Sequence, residues 1–155
     1  MARLWRTDTG RSNLVPFVVR DDASTSDMVV QTSDTTWQAY NRWGGWSLYT
    51  STTGGPRAYK VSYNRPIDTR TSCCSVDYVF GVDNPTIRFL ERNGYDVSYI
   101  SGIDADRSGA ALKQHRVYMS MAHDEYWSGA QRANVEAARD AGVNLMFMGG
   151  NDVYW

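Results

Sequence analysis

A chain of 155 residues matches one domain of the usual roughly 100–200 residues, so a single unit over residues 1–155 is expected. Its 16 Lys and Arg against 17 Asp and Glu leave a net charge of −1, which excludes the broad positive field that nucleic acid or an anionic membrane surface requires. With 42% hydrophobic and 21% charged residues the composition is globular, and no apolar run approaches the roughly 20 residues of a membrane span.

The start, MARLWRTDTGRS, has no apolar stretch of signal-peptide type. Cys73 and Cys74 are adjacent, where a bridge is badly strained, so neither a disulfide framework nor a CxxC motif is available. A cytoplasmic location is the expectation. Trp (6) and Tyr (10) make up most of the aromatics, beside 4 Phe, and their rings carry a polar tip that must be satisfied when buried.

In chain order, the first half is rich in Ser, Thr, Asp, Gly and Tyr, and its short apolar strips at residues 17–19 and 28–30 read as strands joined by long connections. Asn84 and Pro85 open a helix, for which Ile87, Phe89 and Leu90 supply a core-facing stripe and Gly94 the terminator. Val97, Tyr99 and Ile100 mark the next strand, GIDADRSG a short helix, and residues 115–121 another strand. Ser128 and Gln131 form an S-x-x-Q capping box. Ala130, Ala133, Ala137, Ala138 and Ala141 give the helix that follows a small-sided face to lay on a sheet. Gly142 ends it before a strand at 143–148. Alternating strands and helices predict an α/β fold with a doubly wound, mostly parallel sheet.

In a right-handed strand-helix-strand unit both strands run the same way, so the loops at 123–127 and 149–152 emerge at one edge of the sheet. Ligands of open α/β sheets bind at that edge, which makes His123, Asp124, Glu125 and Asn151 the candidate site residues. Two readings of the acids stand open: a metal ligand or general base, or ordinary acids ahead of a helix N-terminus. Zinc fits poorly, because His115 and His123 are the only histidines and no HExxH or Cys pair is present. No G-x-S-x-G elbow supplies a covalent nucleophile. Carboxylates and tyrosine oxygens remain, hard donors that suit a hard cation such as ferric iron. Tyr40 and Tyr49 flank the Gly44-Gly45 turn, yet composition does not separate them from packed tyrosines.

Several collinear segments carry more. VVRDDASTSDMVVQTSDTTWQAYNRWGGWSLY, RAYKVSYNRP, RFLERNGYDVSYISGIDADRSG and HDEYWSGAQRANVEAARDAGVNLMFMGGNDVYW together closely resemble the C-terminal domain of the N,N-dimethylformamidase large (beta) subunit, over nearly the whole chain. The resemblance implies a glutamine-amidotransferase-like core and a mononuclear Fe(III) site that hydrolyses a small linear amide. By it Glu125 is a metal ligand, Tyr40 matches one tyrosine ligand, and Tyr49 the second, with Tyr63 of SYNRP as its rival. His123 and Asn151 match the family's catalytic histidine and asparagine.

The family domain continues with further strands, helices and another catalytic acid. Part of the site wall is therefore expected from a small subunit or from the remainder of the domain, and an uncovered last strand implies self-association. The family's stretch before the first helix is replaced here by SCCSVDYVFGVDNP. A reading from a different class is a noncatalytic α/β module, with Trp37, Trp43, Trp46 and Trp127 as binding platforms.

Overall fold

A computed structural model describes residues 1–68 and 78–155, so Cys73 and Cys74 lie outside the described residues. An antiparallel hairpin, β1 (Ala2–Trp5) and β2 (Ser12–Val15), comes first. The main sheet is built from β3 (Met28–Thr32), β4 (Val97–Ser101), β5 (Val117–Ala122) and β6 (Asn144–Gly149), ordered β4-β3-β5-β6 with every pairing parallel. The chain therefore steps from β3 to one side and then crosses to the other. The carboxyl ends of β3 and β5 flank the point where the winding reverses.

Residues 17–19 form no strand: both sides of β3 are already taken by β4 and β5, and Pro16 cannot donate to a ladder. Phe17 and Val19 are exposed instead. β3 and β5 are buried on both faces, which is why they read as nearly continuous apolar runs. Because side chains alternate along a strand, neighbours seed two cores. Val29, Ile100 and Tyr118 pack with Ala105 of α3 (Gly102–Arg107), Leu112 of α4 (Gly109–Leu112), and Val135 and Ala138 of α5 (Gly129–Asp140). Val30, Met119 and Met121 pack with Ile87 and Leu90 of α2 (Asn84–Arg92). Helices on both faces make the sheet doubly wound.

Two expected faces are corrected by these cores. On α2, Phe89 is exposed and packs on Tyr95 at 6.2 Å, because a residue two positions from Ile87 and one from Leu90 falls outside their stripe. On α5 the buried residues are Gln131, Val135 and Ala138, at the i, i+4, i+7 spacing, while Ala130, Ala133, Ala137 and Ala141 face solvent. The capping box is half formed: Ser128 Oγ accepts from the Gln131 N–H at 3.0 Å, but the Gln131 side chain reaches into the sheet to Gln31.

β6 is an edge strand with Met146, Phe147 and Met148 exposed, the feature on which self-association would rest. Among the described residues no helix is long and apolar enough to cross a membrane.

Candidate active site

The site begins with α1 (Asp34–Tyr40), which leaves the carboxyl end of β3 and carries Tyr40 as its last residue. The final carbonyls of a helix lack intrahelical donors, and here one guanidinium supplies them. Arg65 donates to the carbonyls of Gln38 (2.6 Å) and Asn41 (2.9 Å), and also to those of Trp43 and Trp46 (3.1 Å each). Arg65 thereby ties the end of α1 to the tight turn Trp43–Gly45, where Gly44 and Gly45 take φ of 83° and 97°, a region other residues rarely enter. The turn reverses the chain, and the Leu48 N–H bonds the Ala39 carbonyl at 2.9 Å. Tyr49 returns beside Tyr40, their rings stacked at 4.0 Å and 22°.

The other wall follows β5. Ala122 has φ of 67°, so the chain turns sharply out of the strand, and Gly149 opposite is obligatory because a Cβ there would lie 2.0 Å from the Ala122 carbonyl oxygen. The Glu125 N–H donates to Thr36 Oγ1 at 2.9 Å, docking the loop onto α1. The Val153 and Trp155 N–H groups donate to the Asp124 and Glu125 carbonyls, at 3.0 Å each, so the loops after β5 and β6 are laced together as expected. Asn151 and Val153 also have positive φ, at 59° and 56°. For β-branched Val153 this is a strained conformation, costing on the order of 1–3 kcal/mol, and such strain concentrates at functional sites.

Glu125 stands between these walls, its side chain only 4% exposed. Tyr40 donates its phenol proton to Oε2 and Tyr49 to Oε1, each at 2.8 Å, and Trp155 Nε1 donates to Oε1 at 3.2 Å. His123 Nδ1 lies 2.7 Å from the Gly150 carbonyl, an acceptor only, so Nδ1 donates to it and Nε2 faces the cluster. Nε2 sits 3.1 Å from Glu125 Oε2 and 3.5 Å from the Tyr40 hydroxyl. Burial pushes the Tyr49 phenol well above its ordinary range.

Tyr40, Tyr49, Glu125 and His123 are thus brought together. Tyr63 is not: its hydroxyl donates to Asp34 at 2.8 Å. Asn151 lies exposed on the turn one residue beyond the carbonyl that holds His123. The acids do not serve the α5 N-terminus, whose cap is Ser128. Among the proposed platforms, Trp37 is buried and bonds Ser33 Oγ, and Trp127 packs against the core, so only Trp43 and Trp46 are exposed. Tyr126 and Trp155 were missed, because an aromatic next to a site residue looks in sequence like any packed ring.

Among the described residues no group of three His, Cys, Asp or Glu side chains is placed to hold a metal, so a cation here must use phenol oxygens. The donors suit a hard ion: one carboxylate and two phenols that become anionic on losing a proton.

The family model described as N,N-dimethylformamidase beta subunit-like, C-terminal, matches residues 1–155. The chain belongs to this family. No curated protein matches it.

This dimethylformamidase-like domain holds a second acid cluster, deeper than the first. Asp34 accepts from the Gly102 N–H (2.6 Å), Thr32 Oγ1 (2.9 Å) and Tyr63 (2.8 Å), pinning the carboxyl end of β3 to the start of α3. Asp83 accepts from the Ser33 N–H at 3.1 Å and Ser33 Oγ at 2.7 Å. Asp124 accepts from Gln31 Nε2 at 2.5 Å and Ser120 Oγ at 2.9 Å. Trp127 Nε1 lies close enough to favour the Asp124 carboxylate, yet neither it nor Asp124 Oδ1 completes a hydrogen bond of normal geometry. Burial raises all three acids, Asp124 well above the usual carboxylate range and Asp83 to about 7.

Proposed function

We propose that this domain hydrolyses a small linear amide of the formamide type at a site where Tyr40, Tyr49 and Glu125 hold one ferric ion. The observation that carries the reading is a single buried carboxylate whose two oxygens each take a phenol proton, at the reversal point of a doubly wound sheet. When bound there, iron supplies Lewis acidity to the amide carbonyl and to the attacking water.

The chain's own groups supply the proton handling. The Gly150 carbonyl fixes His123 in the form with a proton on Nδ1, leaving Nε2 to accept a proton from water and to return it to the departing amine nitrogen. Water's oxygen forms the new bond to carbonyl carbon, the C–N bond breaks, and formate and an amine result. Asn151, on the exposed turn beside Gly150, offers an amide N–H to the carbonyl oxygen as it gains charge. Tyr126 and Trp155 form an aromatic rim that receives the alkyl groups of the amide.

The test reads iron uptake together with formate release from dimethylformamide. One equivalent of iron should colour the protein through phenolate charge transfer, Tyr40→Phe should remove or shift the colour, and formate release should vanish in Glu125→Gln. Iron uptake without colour overturns the ligand set. Coloured protein that releases no formate from any small formamide overturns the hydrolase.

A further inference from the structure

The cluster has an outer layer of hydrogen bonds that none of these roles requires. Tyr49 donates its proton to Glu125, so the proton between Tyr49 and Tyr126 comes from Tyr126, at 2.6 Å. On the same side, Trp155 Nε1 donates to Glu125 Oε1 at 3.2 Å. The rings of Tyr126 and Trp155 are stacked at 6.5 Å and 15°. The Trp155 backbone is fixed by its N–H to the Glu125 carbonyl at 3.0 Å and by the Trp127 N–H to its own carbonyl at 3.3 Å. An indole held by two backbone bonds and aimed at a buried carboxylate is placed for its N–H.

We propose that Tyr126 and Trp155 are positioning residues of the ion site, Tyr126 setting the donor strength of Tyr49 and Trp155 the orientation of Glu125. This rests on the Tyr40, Tyr49 and Glu125 ligand set proposed above. A cation entering the cluster replaces the protons that Tyr40 and Tyr49 share with Glu125. The Tyr126 O–H and the Trp155 N–H lie outside that set and stay, now donating to anionic oxygens, where such bonds are roughly twice as strong. Outer donors of this kind orient ligands and tune them, and removing one typically lowers metal affinity roughly 10–100-fold. The two sides of the carboxylate are thereby unequal. Oε1 and Tyr49 are held by neutral outer donors, while Oε2 and Tyr40 face the His123 ring.

The experiment compares ferric-loaded wild type, Tyr126→Phe and Trp155→Phe by visible absorption and by iron retention against a chelator. A hydrogen bond to a phenolate lowers the energy of its donating electrons and raises the charge-transfer energy. Tyr126→Phe should therefore move the band to longer wavelength and lower iron affinity roughly tenfold. Trp155→Phe keeps an aromatic ring and removes the N–H, so it should lower affinity by a similar factor while moving the band much less. A Tyr126→Phe protein with the wild-type band and affinity, or a Trp155→Phe protein with wild-type retention, overturns the assignment for that residue and leaves the ligand set standing. Wild type that binds no iron, or binds it without colour, overturns the ligand set and the inference with it.

Discussion

Asp124 and Glu125 are adjacent in sequence and both almost wholly buried, yet they live in different chemistry. Asp124 turns inward to Gln31 and Ser120, groups that cannot leave and that link strands of the sheet. Glu125 turns outward to two phenols and an indole at the rim, and in the proposed ion site a cation takes the place of the phenol protons. The difference teaches that burial alone does not mark a working carboxylate. What marks it is the kind of donor that satisfies it: fixed backbone, serine and amide donors build structure, whereas ionisable donors beside a solvent path build a site.

The largest expected effect falls on the outward acid. Glu125→Gln should cost on the order of 100-fold or more in iron retention, beyond the loss of an outer donor, because a neutral amide is a poor ligand for a hard cation. Circular dichroism should stay unchanged, since the amide oxygen still accepts from Tyr49 while the amide NH2 donates to the Tyr40 hydroxyl oxygen. A chelator competition curve superimposable on wild type would erase the distinction between the two clusters.

For the inward Asp34 the expectation reverses, with stability lost and iron binding kept in the folded protein. Asp34→Ala strips the acceptor from the Gly102 N–H, Thr32 and Tyr63 together, and should cost about 3 kcal/mol in urea unfolding. A midpoint within experimental scatter of wild type would show that these bonds carry no structural weight.

Asp83 sharpens the comparison through pH. Its folded pKa of about 7, raised chiefly by burial, lies above the ordinary 3.8, so the folded state holds a proton that the unfolded chain releases. The associated stability is full below about pH 4 and is lost as pH rises to about 7. Asp83→Asn cannot ionise, so it should match wild type near pH 4 and exceed it by about 4 kcal/mol at pH 8. Parallel stability curves for the two proteins would place the titration elsewhere.

The smallest effect concerns the strained turn that separates the two fates. Ala122→Gly relieves a left-handed backbone at the end of β5 and should raise stability by about 1 kcal/mol, seen as a higher Tm with the iron colour unchanged. A lower Tm would mean that the Ala122 methyl, packed against the cluster of Val30, Leu90, Met119 and Met121, matters more than the backbone strain.

Much of this architecture is legible in local sequence. The strands at Met28–Thr32, Val97–Ser101 and Asn144–Gly149, the proline near the start of α2, the Ser128 cap of α5 and the shared edge of the loops at 123–127 and 149–152 follow from periodicity, capping chemistry and the handedness of parallel units. These are properties of a few neighbouring residues, which is why the sequence alone determined them, together with the family. Tertiary structure decided the rest. Which alanines of α5 face the sheet, why residues 17–19 find no partner, and whether Tyr49 or Tyr63 reaches Glu125 all depend on what lies across space. Tyr49 sits 76 residues from Glu125 and arrives there only because Arg65 clasps the end of α1 to the turn at Trp43–Gly45. A phenol carries no local mark of the carboxylate it will meet, so the placement of such rings belongs to the folded chain.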